Sequence, residues 1–255
     1  MRILFANDDG IFSPGLLALL KAFHTEKDEL YVAAPDGERS GASHSFTIHV
    51  PLRAEKVTIP GAEWACAYAI SGTPVDCVKL AYGNLFPKPD LLISGINLGP
   101  NRGTDIFYSG TVSAAMEGAF LGIPSVAVSS VGWNPQHFEA AVAGAKYAAS
   151  LLQKVPGIRL LNVNAPDAPL GEIRGMRITA AGIQDYDARY EERFDTHNRA
   201  YYWIASGRRK AYEPGDDCDE RWNDEGYITI TPIVTNVTDY GAIEQLKAAA
   251  VQPEV

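Results

Sequence analysis

Five short apolar runs constrain the fold of this chain more than any other feature of its sequence. They are RILFA (2–6), ELYVAA (29–34), DLLIS (90–94), SVAVSS (125–130) and RLLNVN (159–164). Most lack the polar alternation of a half-exposed strand, so they read as strands buried on both faces. Helical segments lie between them. Gly15–His24 carries Leu16, Leu17, Leu19 and Leu20 at helical spacing. Thr73–Tyr82 begins with a Thr suited to an N-cap and a Pro suited to the first helical position. Thr111–Leu121 is made largely of small residues, and Phe138–Leu152 is rich in Ala. Buried strands alternating with helices form βαβ units, so we expect an α/β fold with a mostly parallel sheet and helices on both faces.

The pattern departs from this twice. Residues 38–72 hold Ser, Gly, Thr, Pro and alternating apolar residues, and read as a long loop with short strands. Beyond about residue 182 the helical period is lost, and residues 183–226 are rich in Asp, Glu, Arg and Tyr. Tyr227–Pro232 alternates like an antiparallel strand, and Ala242–Val251 reads as a short helix. The expected organisation is an α/β core over 1–182 and a mixed C-terminal extension over 183–255, holding a β-hairpin and a helix. The 255 residues suit one large domain or a domain with an appendage.

Formal net charge is −9, which argues against binding duplex nucleic acid or an anionic membrane, since both need a basic surface. No apolar stretch reaches the roughly 18 residues of a membrane helix, and the first apolar run is too short for a signal peptide. Cys66, Cys77 and Cys218 form no CxxC pair and are odd in number, so reduced thiols in a cytoplasmic protein are expected.

Ligands of open α/β sheets sit at the carboxyl ends of the strands. Four loops begin there: Asn7-Asp8-Asp9-Gly10, APDGERSGAS (34–43), SGINLGPNRGTDIFYSGT (94–111) and Ser130-Val131-Gly132-Trp133-Asn134. Adjacent carboxylates repel, so Asp8 and Asp9 must raise a pKa or share a cation. Hard divalent ions such as Mg²⁺ and Mn²⁺ take carboxylate, amide and hydroxyl oxygens, and Ser40 and Asn97 are placed to add neutral ones. Asn-Asp-Asp-Gly is equally good turn chemistry. Ser109, Gly110 and Thr111 open a helix, whose N-terminus suits a phosphate; the same residues also serve as a plain N-cap with tight packing. No Gly-Lys-Ser/Thr follows, so this is not a P-loop. Arg39 pairs with Asp36 or organises its loop, Asn101 reads as a turn residue, and Asp105 stands behind the ligands. His44 and His49 match no metal spacing. The whole suggests metal-assisted hydrolysis of a phosphate ester, in which Asp8 or Asp9 is a base for water as well as a ligand.

RILFANDDG, APDGERSGAS, SGTPVDCV, SGINLGPN and YSGTVSAAMEG follow one another in an order that resembles the signature segments of the SurE survival-protein family; GYITITP and TNVTDY are weaker echoes. The resemblance implies a Rossmann-like core and a 5′/3′-nucleotidase acting on nucleoside monophosphates. It implies a divalent metal (Mg or Mn) on Asp8, Asp9, Ser40 and Asn97, and phosphate contacts from Asn97, Ser109, Gly110 and Thr111. It also implies a homodimer or homotetramer in which C-terminal elements reach across to a partner. Two other readings compete. A haloacid-dehalogenase-type phosphatase needs Asp-x-Asp, whereas adjacent carboxylates on an extended chain point in different directions. A non-catalytic nucleotide sensor leaves the doubled acid unexplained.

Overall fold

The computed structural model describes residues 1–132, 134–183, 189–205 and 216–250. The strands are β1 (Arg2–Ala6), β2 (Glu29–Pro35), β3 (Ala54–Val57), β4 (Cys66–Ile70), β5 (Leu91–Leu98), β6 (Ser125–Ser130), β7 (Leu160–Ala165), β8 (Met176–Ile178), β9 (Arg189–Phe194), β10 (Ala200–Ala205) and β11 (Ile228–Pro232). The helices are α1 (Pro14–Phe23), α2 (Pro74–Leu80), α3 (Gly110–Phe120), α4 (Glu139–Lys154), α5 (Asp219–Asp224) and α6 (Tyr240–Ala249).

Among the described residues one nine-stranded sheet runs in the order β3-β4-β2-β1-β5-β6-β7-β11-β8. From β4 to β7 every neighbouring pair is parallel. β3 is antiparallel to β4; β11 is antiparallel to β7, as its alternation suggests, and parallel to β8 on its other side. The fold is therefore the expected α/β, Rossmann-like one with a mostly parallel sheet. β11 comes from beyond residue 182 and still completes the main sheet. β9 and β10 form a separate antiparallel hairpin.

Helices cover both faces. α1 and α4 bury Leu16, Leu19, Leu20, Ala141, Ala145 and Ala148 against one face, with Phe5 and Val163 beneath. On the other, α2 and α3 bury Val78, Val112, Ala114 and Ala115 against Leu4 and Leu92. Each fully buried large aliphatic or aromatic side chain contributes about 1.5–3 kcal/mol, so strands sealed on both sides give the site a rigid floor. Helix starts follow local chemistry. Ser13 caps α1 and Thr73 closes a capping box with Asp76 on α2, with Pro14 and Pro74 just inside.

Two boundaries differ from expectation. Helix α2 stops at Leu80 and continues as a wider turn over Ala81–Leu85. Strand β5 does not end at Ser94 but runs to Leu98, with its register on β6 shifting between Ser94 and Asn97. Gly95 makes this possible: its φ is +136°, and a Cβ there would lie 2.3 Å from the Val128 carbonyl oxygen. Asn97 therefore stands on the strand rather than in the loop beyond it. In the extension, β9, β10 and α5 occupy parts of a stretch that shows no helical period. The last helix ends at Ala249, and Val251 lies outside the described residues.

Candidate active site

β1 sits between β2 and β5, the point where the strand order reverses. A crevice opens there beyond the strand ends. Asn7 builds its first wall. Its amide nitrogen donates to the Gly10 carbonyl (2.9 Å) and Ser13 Oγ (2.8 Å), and its Oδ1 accepts the Gly10 N–H (3.2 Å). Asn7 thereby takes over the turn chemistry of the segment and releases Asp8 and Asp9 from it.

A cleft of about 570 Å³ is lined by Asp8, Ser40, Asn97 and Ser109, together with Asn101, Arg102, Asp105 and Tyr108. Three strand-end loops thus converge as the sequence suggests. Asp9 faces an adjoining recess with Glu38, and Leu98 borders both spaces. Val131, from the fourth loop, also lines the cleft; Trp133 lies outside the described residues.

Asp8 is buried, and the N-terminus of α3 is turned onto it. The Thr111 hydroxyl donates to Asp8 Oδ1, so Thr111 is committed to the carboxylate and its hydroxyl does not line the cleft. Ser109 is the N-cap, with its Oγ accepting from the Val112 N–H at 3.1 Å. A Cβ on Gly110 would lie 2.9 Å from Asp8 Cβ and Oδ2, so only glycine lets the helix approach this closely.

Burial pushes the Asp8 carboxyl above its ordinary value; the Thr111 hydroxyl and backbone draw it down, and nearby Glu38 adds to the rise. Burial pushes Asp9 up to about 7, with the charges of Asp8 and Glu38 adding to it and the Leu98 backbone amide opposing. Asp9 Oδ2 is buried and has no hydrogen-bond partner. Asn97 commits its amide nitrogen to the Gly99 carbonyl (2.8 Å), which leaves Oδ1 as its available acceptor. Ser40 donates to Glu38 (2.6 Å) and retains lone pairs.

The donors fit a hard divalent ion. Asp8 shares the cleft with the amide oxygen of Asn97 and the hydroxyl of Ser40, and Asp9, with its orphaned oxygen, adjoins it; these oxygens are the kinds of donor such ions take. Among the described residues no three His, Cys, Asp or Glu side chains gather into a metal-holding group, so neutral oxygens must complete the set. His49 is exposed, and Arg39 pairs with Asp36 at 2.9 Å. Asn101 has a structural role: its backbone N–H donates to Asn164 Oδ1 and its side chain to Ser129.

Three residues of the site escaped the sequence reading. Glu38 lies inside APDGERSGAS, so a third acid close to Asp8 and Asp9 was a signal available there. Arg102 is buried at the cleft wall and pairs with Asp224 of α5 at 2.9 Å. Asp219 of α5 accepts the Gly103 N–H at 3.0 Å, and nothing local in the sequence marks that link.

Crevice, doubled acid and helix N-terminus define the class: an α/β protein whose polar strand-end loops gather into one cleft at the switch point of a mostly parallel sheet. Residues 3–188 match the family of survival protein SurE. The chain is 42% identical over 260 residues to the 5′-nucleotidase SurE of Synechococcus elongatus, covering 96% of this chain and 98% of that one. It is 44% identical to the 5′-nucleotidase SurE of Desulforudis audaxviator, covering 97% and 96%. The crystal structure of the SurE protein from Aquifex aeolicus superposes with a TM-score of 0.80 at 37% identity, covering 98% of this chain and 99% of that one. The protein belongs to the SurE family.

Proposed function

We propose that this protein is a nucleotidase: a phosphohydrolase that removes phosphate from nucleoside 5′- and 3′-monophosphates with the help of a divalent ion, Mg²⁺ or Mn²⁺. The observation that carries the metal is the Asp8–Asp9 pair, a buried and a half-buried carboxylate near Glu38 with one carboxylate oxygen unpartnered. The substrate class rests on the names of the relatives, which match this chain over nearly its whole length.

Asp8, Asp9, Ser40 and Asn97 would hold the ion. When bound, the ion supplies charge neutralisation and Lewis acidity toward phosphoryl and water oxygens. Asp8 is committed to Thr111 and so acts as a fixed ligand. Asp9, whose Oδ2 has no hydrogen-bond partner, is the carboxylate that would take a proton from the attacking water. Ser109 and Asn97, which line the cleft, orient the phosphate at the helix N-terminus opened by Gly110, where backbone N–H groups and the dipole favour an anion; Thr111 serves the site by holding Asp8. Arg102 adds the cationic side chain among the residues lining the cleft, which is roomy enough for a nucleoside beyond the phosphate.

Phosphate release from a panel of 5′- and 3′-nucleoside monophosphates tests this, run with Mn²⁺, with Mg²⁺ and with chelator. Release is expected only with metal, and Asp8→Asn is expected to abolish the metal-dependent turnover while the fold is kept. Unchanged turnover in chelator, or in the Asp8→Asn variant, overturns the metal reading.

A further inference from the structure

The segment carrying Ser40 is long and irregular. It leaves β2 after Pro35 and rejoins the sheet only at β3, with no helix or strand of its own. A loop of this kind holds a ligand in place only if it is tied down elsewhere. Its ties are specific. The Arg39 N–H donates to the Asp8 carbonyl at 2.7 Å. Ser43 donates through its N–H to Tyr108 (3.1 Å) and through its hydroxyl to Phe107 (2.6 Å). Thr47 bonds Asp76 of α2 through both its N–H (2.9 Å) and its hydroxyl (2.6 Å). Ser45 accepts the Thr73 hydroxyl on its carbonyl at 2.7 Å. A further tie involves a charge in an unexpected place: His44 Nε2 lies 3.0 Å from Glu117 Oε2 of α3.

Glu117 is a buried carboxylate on a helix whose other buried positions include Val112, Ala114, Ala115 and Gly118. Packing gives no reason for an acid there, and desolvating one costs several kcal/mol unless partners repay it. Its partners are His44 and Lys79 of α2, whose Nζ lies 3.0 Å from the other carboxylate oxygen. The His44 ring also packs on Phe120, with centroids 5.5 Å apart. Helix α3 therefore does two things on one rigid body. Its first turn holds Asp8 through Thr111. About 9 Å further on, at 1.5 Å per residue, it holds the Ser40 loop through Glu117.

We infer that His44 is a positioning residue for the ion site: its bond to Glu117 sets where the Ser40 hydroxyl stands relative to Asp8 and Asp9. This rests on the metal reading above, and it assigns His44 no contact with ion or substrate.

The test is Mn²⁺ binding to the metal-stripped full chain, followed by calorimetry or electron paramagnetic resonance, with thermal melts of the metal-free proteins alongside. His44→Ala is expected to weaken Mn²⁺ about tenfold, the scale typical of residues that orient ligands. His44→Phe keeps the packing on Phe120, lacks the donor, and is expected to match His44→Ala. His44→Gln restores a nitrogen donor and is expected to bind Mn²⁺ like the native chain. If His44 acts through Ser40, adding His44→Ala to Ser40→Ala weakens binding no further. Native affinity in His44→Phe, or independent additive losses, overturns the inference while leaving the metal reading intact. Native affinity in Asp8→Asn overturns the metal reading itself.

Discussion

At the scale of single residues, the site is a problem in charge. Asp8 and Asp9 lie side by side, both desolvated, with Glu38 close by. An acid whose pKa folding raises holds its proton more tightly in the folded state, so its contribution to stability falls as pH climbs. For Asp9 the window runs from its ordinary value of 3.8 to about 7. Glu117 acts in the opposite sense: its bonds to His44 and Lys79 outweigh its burial, hold it below its ordinary 4.5, and matter mainly below that pH. The metal-free protein is therefore expected to lose melting temperature between about pH 5 and 7. Saturating Mn²⁺ is expected to flatten that slope, because a cation favours the ionised carboxylates. Melts in chelator and in metal across this range check it; parallel slopes would contradict a shared cation at Asp8 and Asp9.

At the scale of elements, α3 is the organising piece. Its N-cap Ser109 opens the helix, its Gly110 and Thr111 meet Asp8, and its Glu117 meets His44. Ala is normally preferred to Gly inside a helix by about 1 kcal/mol, so Gly110→Ala would be benign in an isolated helix. Here the added methyl would lie 2.9 Å from the Asp8 side chain. Gly110→Ala is expected to leave the far-ultraviolet circular dichroism native and to lower kcat/KM about a hundredfold, the cost of an ångström-scale misplacement. Steady-state kinetics with nucleoside monophosphates would show this, and native kinetics would mean that Asp8 need not stand where the helix puts it. The N-cap and the small residues of α3 were legible in SGTVSAAMEG. The burial of Glu117 was not, because its partner His44 is 73 positions away.

At the scale of the whole molecule, the β9–β10 hairpin is the unfinished part. It pairs with itself among the described residues, and a lone two-stranded hairpin is marginal in water. Tyr190, Phe194, Tyr202 and Ile204 are exposed together on one face of it. We expect a second copy of the chain to cover this face, giving a dimer or tetramer. Sedimentation velocity of the intact chain checks the assembly. Charged substitutions at Tyr202 and Ile204 are expected to shift it toward monomer; an unchanged distribution would place any interface elsewhere.

The sequence by itself determined the periodicities, the caps and the strand-end chemistry. Buried strands alternating with amphipathic helices admit few arrangements other than an α/β sheet. Polar motifs placed directly after such strands must gather at one edge, which is why Asp8, Ser40, Asn97 and Ser109 were readable as one site. Tertiary structure alone decided the rest. The bulge at Gly95 kept Asn97 on β5, where a glycine read locally as the end of a strand. Thr111 turned from the cleft to Asp8, and α5 reached back through Asp224 and Asp219 to Arg102 and Gly103. These links join groups remote in sequence whose pairing depends on how far a helix or loop is carried across the sheet, and no local pattern encodes that distance.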